Sequence, residues 1–173
     1  MRTLAVLLVA SVLTGCIGAT TSGDLVRTLD EPLPLLTGTD LDGRALSTEG
    51  YAGSVLVVNA WASWCDPCEE ETPMLVRMAE RYEPRGVRFL GINHTDQLAE
   101  AQRFVERFGV PYPSFSDQAG RFAAVLGYPG LPATYVVDRS GTMRFVVFDQ
   151  IHEETLVRLL EEILTQPAPT STP

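Results

Sequence analysis

The 173-residue chain is predicted to form an α/β domain, a mixed sheet flanked by helices, on three observations. Residues 55–58, Val-Leu-Val-Val, are an uninterrupted apolar run, largely β-branched, of the kind buried on both faces in the middle of a sheet. The period then changes, because Met74, Leu75, Met78 and Ala79 recur at helical spacing before a second strand-like run over 87–93. Further on, residues 134–138 and 143–148, joined by Arg139-Ser140-Gly141, read as an antiparallel hairpin ahead of an amphipathic helix over 152–164. A hydrophobic share of 45% supports one core of ordinary size, so one domain is expected.

Taken in order, the chain opens with a positive Met1-Arg2 and an uncharged apolar run over 4–13, too short for a comfortable membrane span, followed by Leu13-Thr14-Gly15-Cys16. This pattern resembles a bacterial lipobox. Residues 1–15 are therefore expected to be a lipoprotein signal peptide, with Cys16 lipidated at the start of the mature chain. Residues 16–24, rich in Gly, Ser, Thr and Ala, are expected to be a flexible membrane tether, and residues 25–165 the folded domain. Within it, residues 33–36 and 44–46 around Asp42-Gly43 suggest an amino-terminal β-hairpin. The strand over 54–60 follows, then a helix from Cys68 to about Tyr82. Glu69, Glu70 and Glu71 stand in its first turn, where the helix dipole favours acid, and Pro73 is expected to kink it. After the strand over 87–93 come an amphipathic helix over 98–108, a rigid Pro111-Tyr112-Pro113 loop and a short helix around 120–126. Residues 166–173, rich in Pro and Thr, are expected to be a disordered tail.

Between the first strand and its helix lies Trp61-Ala62-Ser63-Trp64-Cys65-Asp66-Pro67-Cys68. Two cysteines separated by two residues at a helix N-terminus are placed to make and break one disulfide. The thiolate is the attacking species, and unpaired amides with the positive end of the helix dipole stabilise it at Cys65. Cys65 is thus the expected nucleophile, and Cys68, one turn further in, the resolving thiol. Once Cys16 is lipidated these are the chain's remaining thiols, in a compartment where disulfide chemistry is permitted.

The element order, with the dithiol at the first strand-to-helix junction, resembles the thioredoxin fold. The wording of residues 57–68, followed by Glu71 and Pro73, is similar to the TlpA/ResA/DsbE family of membrane-anchored thiol-disulfide oxidoreductases. That resemblance implies the amino-terminal hairpin and an insertion in the middle of the core. It also implies that Pro132, in Leu131-Pro132-Ala133-Thr134, is a cis proline beside the dithiol, where the Leu131 backbone can pair with an extended client strand. Trp64 is expected on the docking surface and Trp61 in the core. Thioredoxins place a buried Asp where this chain has Asn59; the TlpA/ResA branch carries Asn there and uses a carboxylate after the following strand, which falls at Asp96. Asp96 is read either as that catalytic group or as the N-cap of the helix from Leu98.

The reaction implied is dithiol–disulfide exchange with client proteins, without an organic cofactor or metal. Asp66 and the three glutamates after Cys68 disfavour the Cys65 thiolate, which makes the couple a better reductant. By resemblance, such a reductant acts on oxidised apocytochrome c, with electrons from a membrane thiol donor, at the extracytoplasmic face of a bacterial membrane. Two alternatives are an oxidase that inserts disulfides into secreted proteins and a copper- or peptide-binding module on the same fold, the copper form needing His94. Zinc is disfavoured, since only His94 and His152 could join the cysteines. A formal charge of −9 with no lysine gives no basic stripe for nucleic acid.

Overall fold

The computed structural model describes residues 25–165; the expectations for the signal peptide, Cys16, the tether and the tail lie outside them. Eight strands and four α-helices follow in the order β1 (Val26–Pro32), β2 (Thr37–Thr39), β3 (Ala45–Ser47), β4 (Val55–Trp61), α1 (Asp66–Tyr82), β5 (Val87–His94), α2 (Leu98–Phe108), β6 (Ser114–Asp117), α3 (Arg121–Leu126), β7 (Ala133–Val137), β8 (Thr142–Val147) and α4 (Glu153–Leu164).

The main sheet has the order β1-β8-β7-β4-β5-β6. β4 pairs in parallel with β5, and β5 with β6, while β7 is antiparallel to β4 and β8, and β1 antiparallel to β8. This is the predicted α/β architecture of thioredoxin type. β4 lies at its centre because every one of its residues is buried, which a Val-Leu-Val-Val run satisfies on both faces. Its alternate residues Val55 and Val57 face a core shared with α1 and α4, including Leu75, Met78, Leu156 and Leu160. Leu56, Val58 and Ala60 face a second core closed by Phe122 and Leu126 of α3 and by Leu36.

α1 starts at Cys65 as N-cap, with Pro67 in the first turn where its missing N–H costs nothing, and runs through Pro73, whose ring is exposed. The chain leaves it through a short 3₁₀ turn closed by Gly86 at φ 81°. α2 matches its predicted bounds and ends at Gly109 in the left-handed region.

Three elements differ from expectation. The amino-terminal hairpin forms, but its first strand is Thr37–Thr39, because Leu36 turns into the core and Asp40 Oδ1 accepts from the Asp42 and Arg44 amides to make the reversal. β1, not foreseen, is an edge strand with its side chains mostly outward, held by backbone pairing to β8. β6, also not foreseen, follows Pro113 directly and completes the sheet beside β5. The hairpin covers that edge through an Asp40–Phe115 bridge and a Gln102 bond to the Leu41 carbonyl.

Candidate functional site

The carboxyl end of β4 delivers the chain to Cys65 and Cys68, which are joined by a disulfide with an S–S distance of 2.04 Å. Cys65 Sγ lies 3.3 Å from the Cys68 amide, so an amide of the first turn of α1 donates to the sulfur. Cys65 is 6% exposed and Cys68 fully buried, an asymmetry that leaves one sulfur open to a partner and holds the other in reserve. Asp66 and Pro67 between them are exposed. The cysteines pack with Trp61, Ala62, Leu41, Ala101 and Phe104, and Leu131 lies against this cluster and the second core alike.

The Leu131–Pro132 peptide bond is cis, as the family resemblance implied. The following residues, Ala133 and Thr134, enter β7 and pair with Ala60 and Asn59 of β4, which fixes this loop against the strand that carries the disulfide.

Trp64 is 59% exposed beside Cys65, and its indole N–H donates to the Thr95 carbonyl at 3.2 Å. Trp61 is buried, stacked on Phe104, with its N–H donating to Ser114 Oγ at 3.1 Å. That approach requires Gly91, where a Cβ would fall 2.0 Å from Ser114 Oγ.

Asp96 is not the cap of α2, whose N-cap residue is Gln97. Its buried carboxylate accepts from the Ser63 amide at 2.6 Å, Ser63 Oγ at 2.8 Å and Asn93 Nδ2 at 2.8 Å. The carboxylate after β5 thus grips the loop that leads to Cys65. The neighbouring Thr95 has φ 47°, a left-handed conformation that a β-branched residue adopts at a cost. That turn aims its carbonyl at Trp64 and its amide at the Asp117 carbonyl. Asn93 Oδ1 is a buried atom without a hydrogen-bond partner among the described residues.

Glu71, which the sequence offers either as a catalytic acid or, in preference, as an ordinary acid of the helix's first turn, is a buried bonded group. It is 2% exposed, one turn past Cys68 on the same face of α1, with Oε1 accepting from Asn59 Nδ2 and Oε2 from the Ile151 amide, both at 2.8 Å. Asn59 Nδ2 also donates to Thr134 Oγ1 at 3.1 Å, so Asn59 ties α1 to β7 beneath the disulfide. The signal was available: residues 68, 71, 75, 78 and 82 make one helical stripe, otherwise apolar or thiol. Burial, and after it the negative charge of Glu71, raises the Tyr112 hydroxyl above its ordinary range. Among the described residues no cluster of His, Cys, Asp and Glu could hold a metal ion.

Comparison with known proteins places this geometry. Residues 29–146 match the AhpC/TSA family. The chain is 30% identical over 124 residues to the thiol-disulfide oxidoreductase ResA of Geobacillus thermodenitrificans, covering 72% of this chain and 71% of that one. It is 35% identical over 129 residues to the thiol:disulfide interchange protein DsbE of Pseudomonas aeruginosa, covering 72% and 69%. Among solved structures, a secreted thiol-disulfide isomerase from Corynebacterium glutamicum superposes with a TM-score of 0.76 at 27% identity, covering 85% of this chain and 96% of that one.

Proposed function

The chain belongs to the AhpC/TSA family and is a thiol-disulfide oxidoreductase of the ResA and DsbE type, and from that premise we propose that it acts as a membrane-anchored reductant of client disulfides outside the cytoplasm. The reduced Cys65 thiolate attacks one sulfur of the client disulfide and expels the other as a thiolate, which takes up a proton. Cys68 then gives up its proton, attacks Cys65 Sγ and releases the second client sulfur, so two electrons pass to the client and the Cys65–Cys68 disulfide is left behind. A membrane dithiol donor reverses that last oxidation.

Glu71, on the Cys68 face of α1, is the acceptor for the Cys68 proton in this reading. Asn59 and Asp96 act as positioning residues, the first through Glu71 and the second through Ser63. Trp64 and the Leu131–Pro132 backbone wall the client groove. The client class is an oxidised Cys-x-x-Cys-His segment of an apocytochrome c, and Cys16 carries the lipid that holds the protein at the membrane.

One observation carries the direction. Asp66, Glu69, Glu70 and Glu71 crowd the first turns of α1, and their charge opposes the dipole that would otherwise favour the Cys65 thiolate. A less favoured thiolate makes reduced protein the stronger electron donor. The test is the equilibrium reduction potential in thiol buffers, followed by tryptophan fluorescence. A value near thioredoxin's, about −270 mV, supports the reductant; a value near DsbA's, about −120 mV, replaces it with a disulfide-inserting oxidase. Anchoring is tested separately by palmitate labelling, which Cys16→Ser should abolish.

A further inference from the structure

Four consecutive residues at the carboxyl end of β5 each hold a different part of the site. Asn93 bonds Asp96, Thr95 takes the Trp64 indole, Asp96 takes Ser63, and His94 turns to the opposite face of the sheet. There its Nδ1 lies 3.1 Å from the Tyr128 hydroxyl, with the two rings edge to face at 5.6 Å. His94 Cε1 also rests against Gly120, where a Cβ would come within 2.9 Å. The imidazole is thus wedged between the start of α3 and the aromatic ring that follows it.

Tyr128 begins the segment Tyr128-Pro129-Gly130-Leu131-Pro132, which ends where β7 pairs with β4. Tyr128 belongs to the buried cluster against which Leu131 packs, and Pro129 restricts the segment between them, so the position of the Tyr128 ring bears on the Leu131 backbone. Tyr128 is itself buried, and burial, with the Asp117 charge and Tyr135 behind it, keeps its hydroxyl protonated well past neutral pH. The hydroxyl and His94 Nδ1 share one hydrogen bond, the hydroxyl donating to Nδ1 when the ring proton is on Nε2 and accepting when it is on Nδ1. Hydrophobic packing alone would have been served by Phe at this position.

We infer that His94 is a positioning residue for the client groove: through the Tyr128 hydroxyl it sets the Leu131–Pro132 wall relative to the Trp64 wall, which the same strand end holds through Thr95. The inference rests on the exchange reading above, since the groove matters only if an extended client lies in it. It assigns His94 to the handling of polypeptide clients, with no part in the chemistry at sulfur. A polypeptide needs both walls in register, whereas a small disulfide needs only an open Cys65.

The experiment uses the full chain in a Cys68→Ser background, so that reaction stops at the mixed disulfide. Two probes report Cys65 attack by release of coloured thionitrobenzoate: free 5,5′-dithiobis(2-nitrobenzoate), and a short peptide whose single cysteine carries the same leaving group. His94→Ala and Tyr128→Phe should each lower the ratio of peptide rate to small-probe rate about fivefold, the factor one hydrogen bond of ordinary net strength corresponds to. His94→Asn, whose side-chain amide can meet the Tyr128 hydroxyl where Nδ1 stood, should restore the ratio. A ratio unchanged in Tyr128→Phe, or both rates falling together, overturns the inference. A parent protein whose Cys65 reacts with neither probe overturns the exchange reading first, and this inference with it.

Discussion

Beside the end of β4 that leads to Cys65, Glu71 and Asp96 are buried and paired to named donors; around Tyr82 and Glu161, carboxylates lie at the surface. Glu71 and Asp96 are 2% and 6% exposed, and their five hydrogen bonds tie α1, β4, β5 and the Ser63 loop into one frame. Glu161 pairs with Arg85 and Tyr82, and Glu153 with Arg77, on side chains that are 43% and 46% exposed. Burying a charge costs several kcal/mol unless it is fully satisfied, whereas an exposed ion pair returns less than about 1 kcal/mol. Burial alone does not mark a working group, since Asp138 at the β7–β8 turn is also buried and bonded by Ser140, Thr142 and Arg144; Glu71 and Asp96 differ in that their partners lie on the elements that carry the disulfide.

The comparison can be broken at several points. The largest effect is expected from Cys65→Ser, which should abolish exchange with any disulfide probe, while Cys68→Ser should accumulate a mixed disulfide visible by non-reducing electrophoresis. Next, Asp96→Ala strands the Ser63 amide, Ser63 Oγ and Asn93 Nδ2, and should cost roughly 3 kcal/mol in urea unfolding. Arg77→Ala at the surface pair should cost under about 1 kcal/mol in the same assay. If the two variants unfold alike, the distinction between the buried and the exposed carboxylates fails. Glu71→Gln keeps an oxygen for Asn59 but turns an NH₂ toward the Ile151 amide, so it should cost about 2 kcal/mol and slow release of the mixed disulfide.

The smallest effect belongs to pH. Hydrogen bonds from Arg85 and then Tyr82 pull the Glu161 carboxyl from 4.5 down to about 2. A carboxyl lowered by folding adds stability above its unfolded value and loses it as pH falls through its folded one. The Glu161 contribution should therefore fade between those two values. Glu161→Gln should flatten that stretch of the stability curve slightly and leave the neutral plateau nearly unchanged.

How much of this was legible in the sequence depended on whether burial or pairing made each element. β4, α1, α2, β7, β8 and α4 carry their period in their own residues, and each falls within two residues of expectation. β1, Val-Arg-Thr-Leu-Asp-Glu-Pro, has no such period, because an edge strand is made by its neighbour's free backbone groups. β6 is four residues after a proline and is made the same way. The dithiol was readable as a local pattern, whereas the cis Pro132 followed from the resemblance to the TlpA/ResA/DsbE family. The placement of Asp96 was readable only as proximity in sequence, since its partner Ser63 lies 33 residues away and α2 takes Gln97 as its cap instead. Glu71 was hidden by a true generality, that acids suit the first turns of helices, although its position on the apolar stripe argued otherwise.

The register of β1 has a bearing on reach. Val26 pairs with Val147, Val147 with Thr134, and Thr134 with Asn59, so the first residue of the first strand stands level with the row just beneath the disulfide. The chain therefore enters the domain at its redox end and not at the far one. A fully extended stretch from Cys16 to Val26 spans at most about 35 Å. An anchor at Cys16 would hold Cys65 on a short leash near the bilayer surface, and lengthening that leash with a Gly/Ser insert is a direct handle on which clients the disulfide can meet.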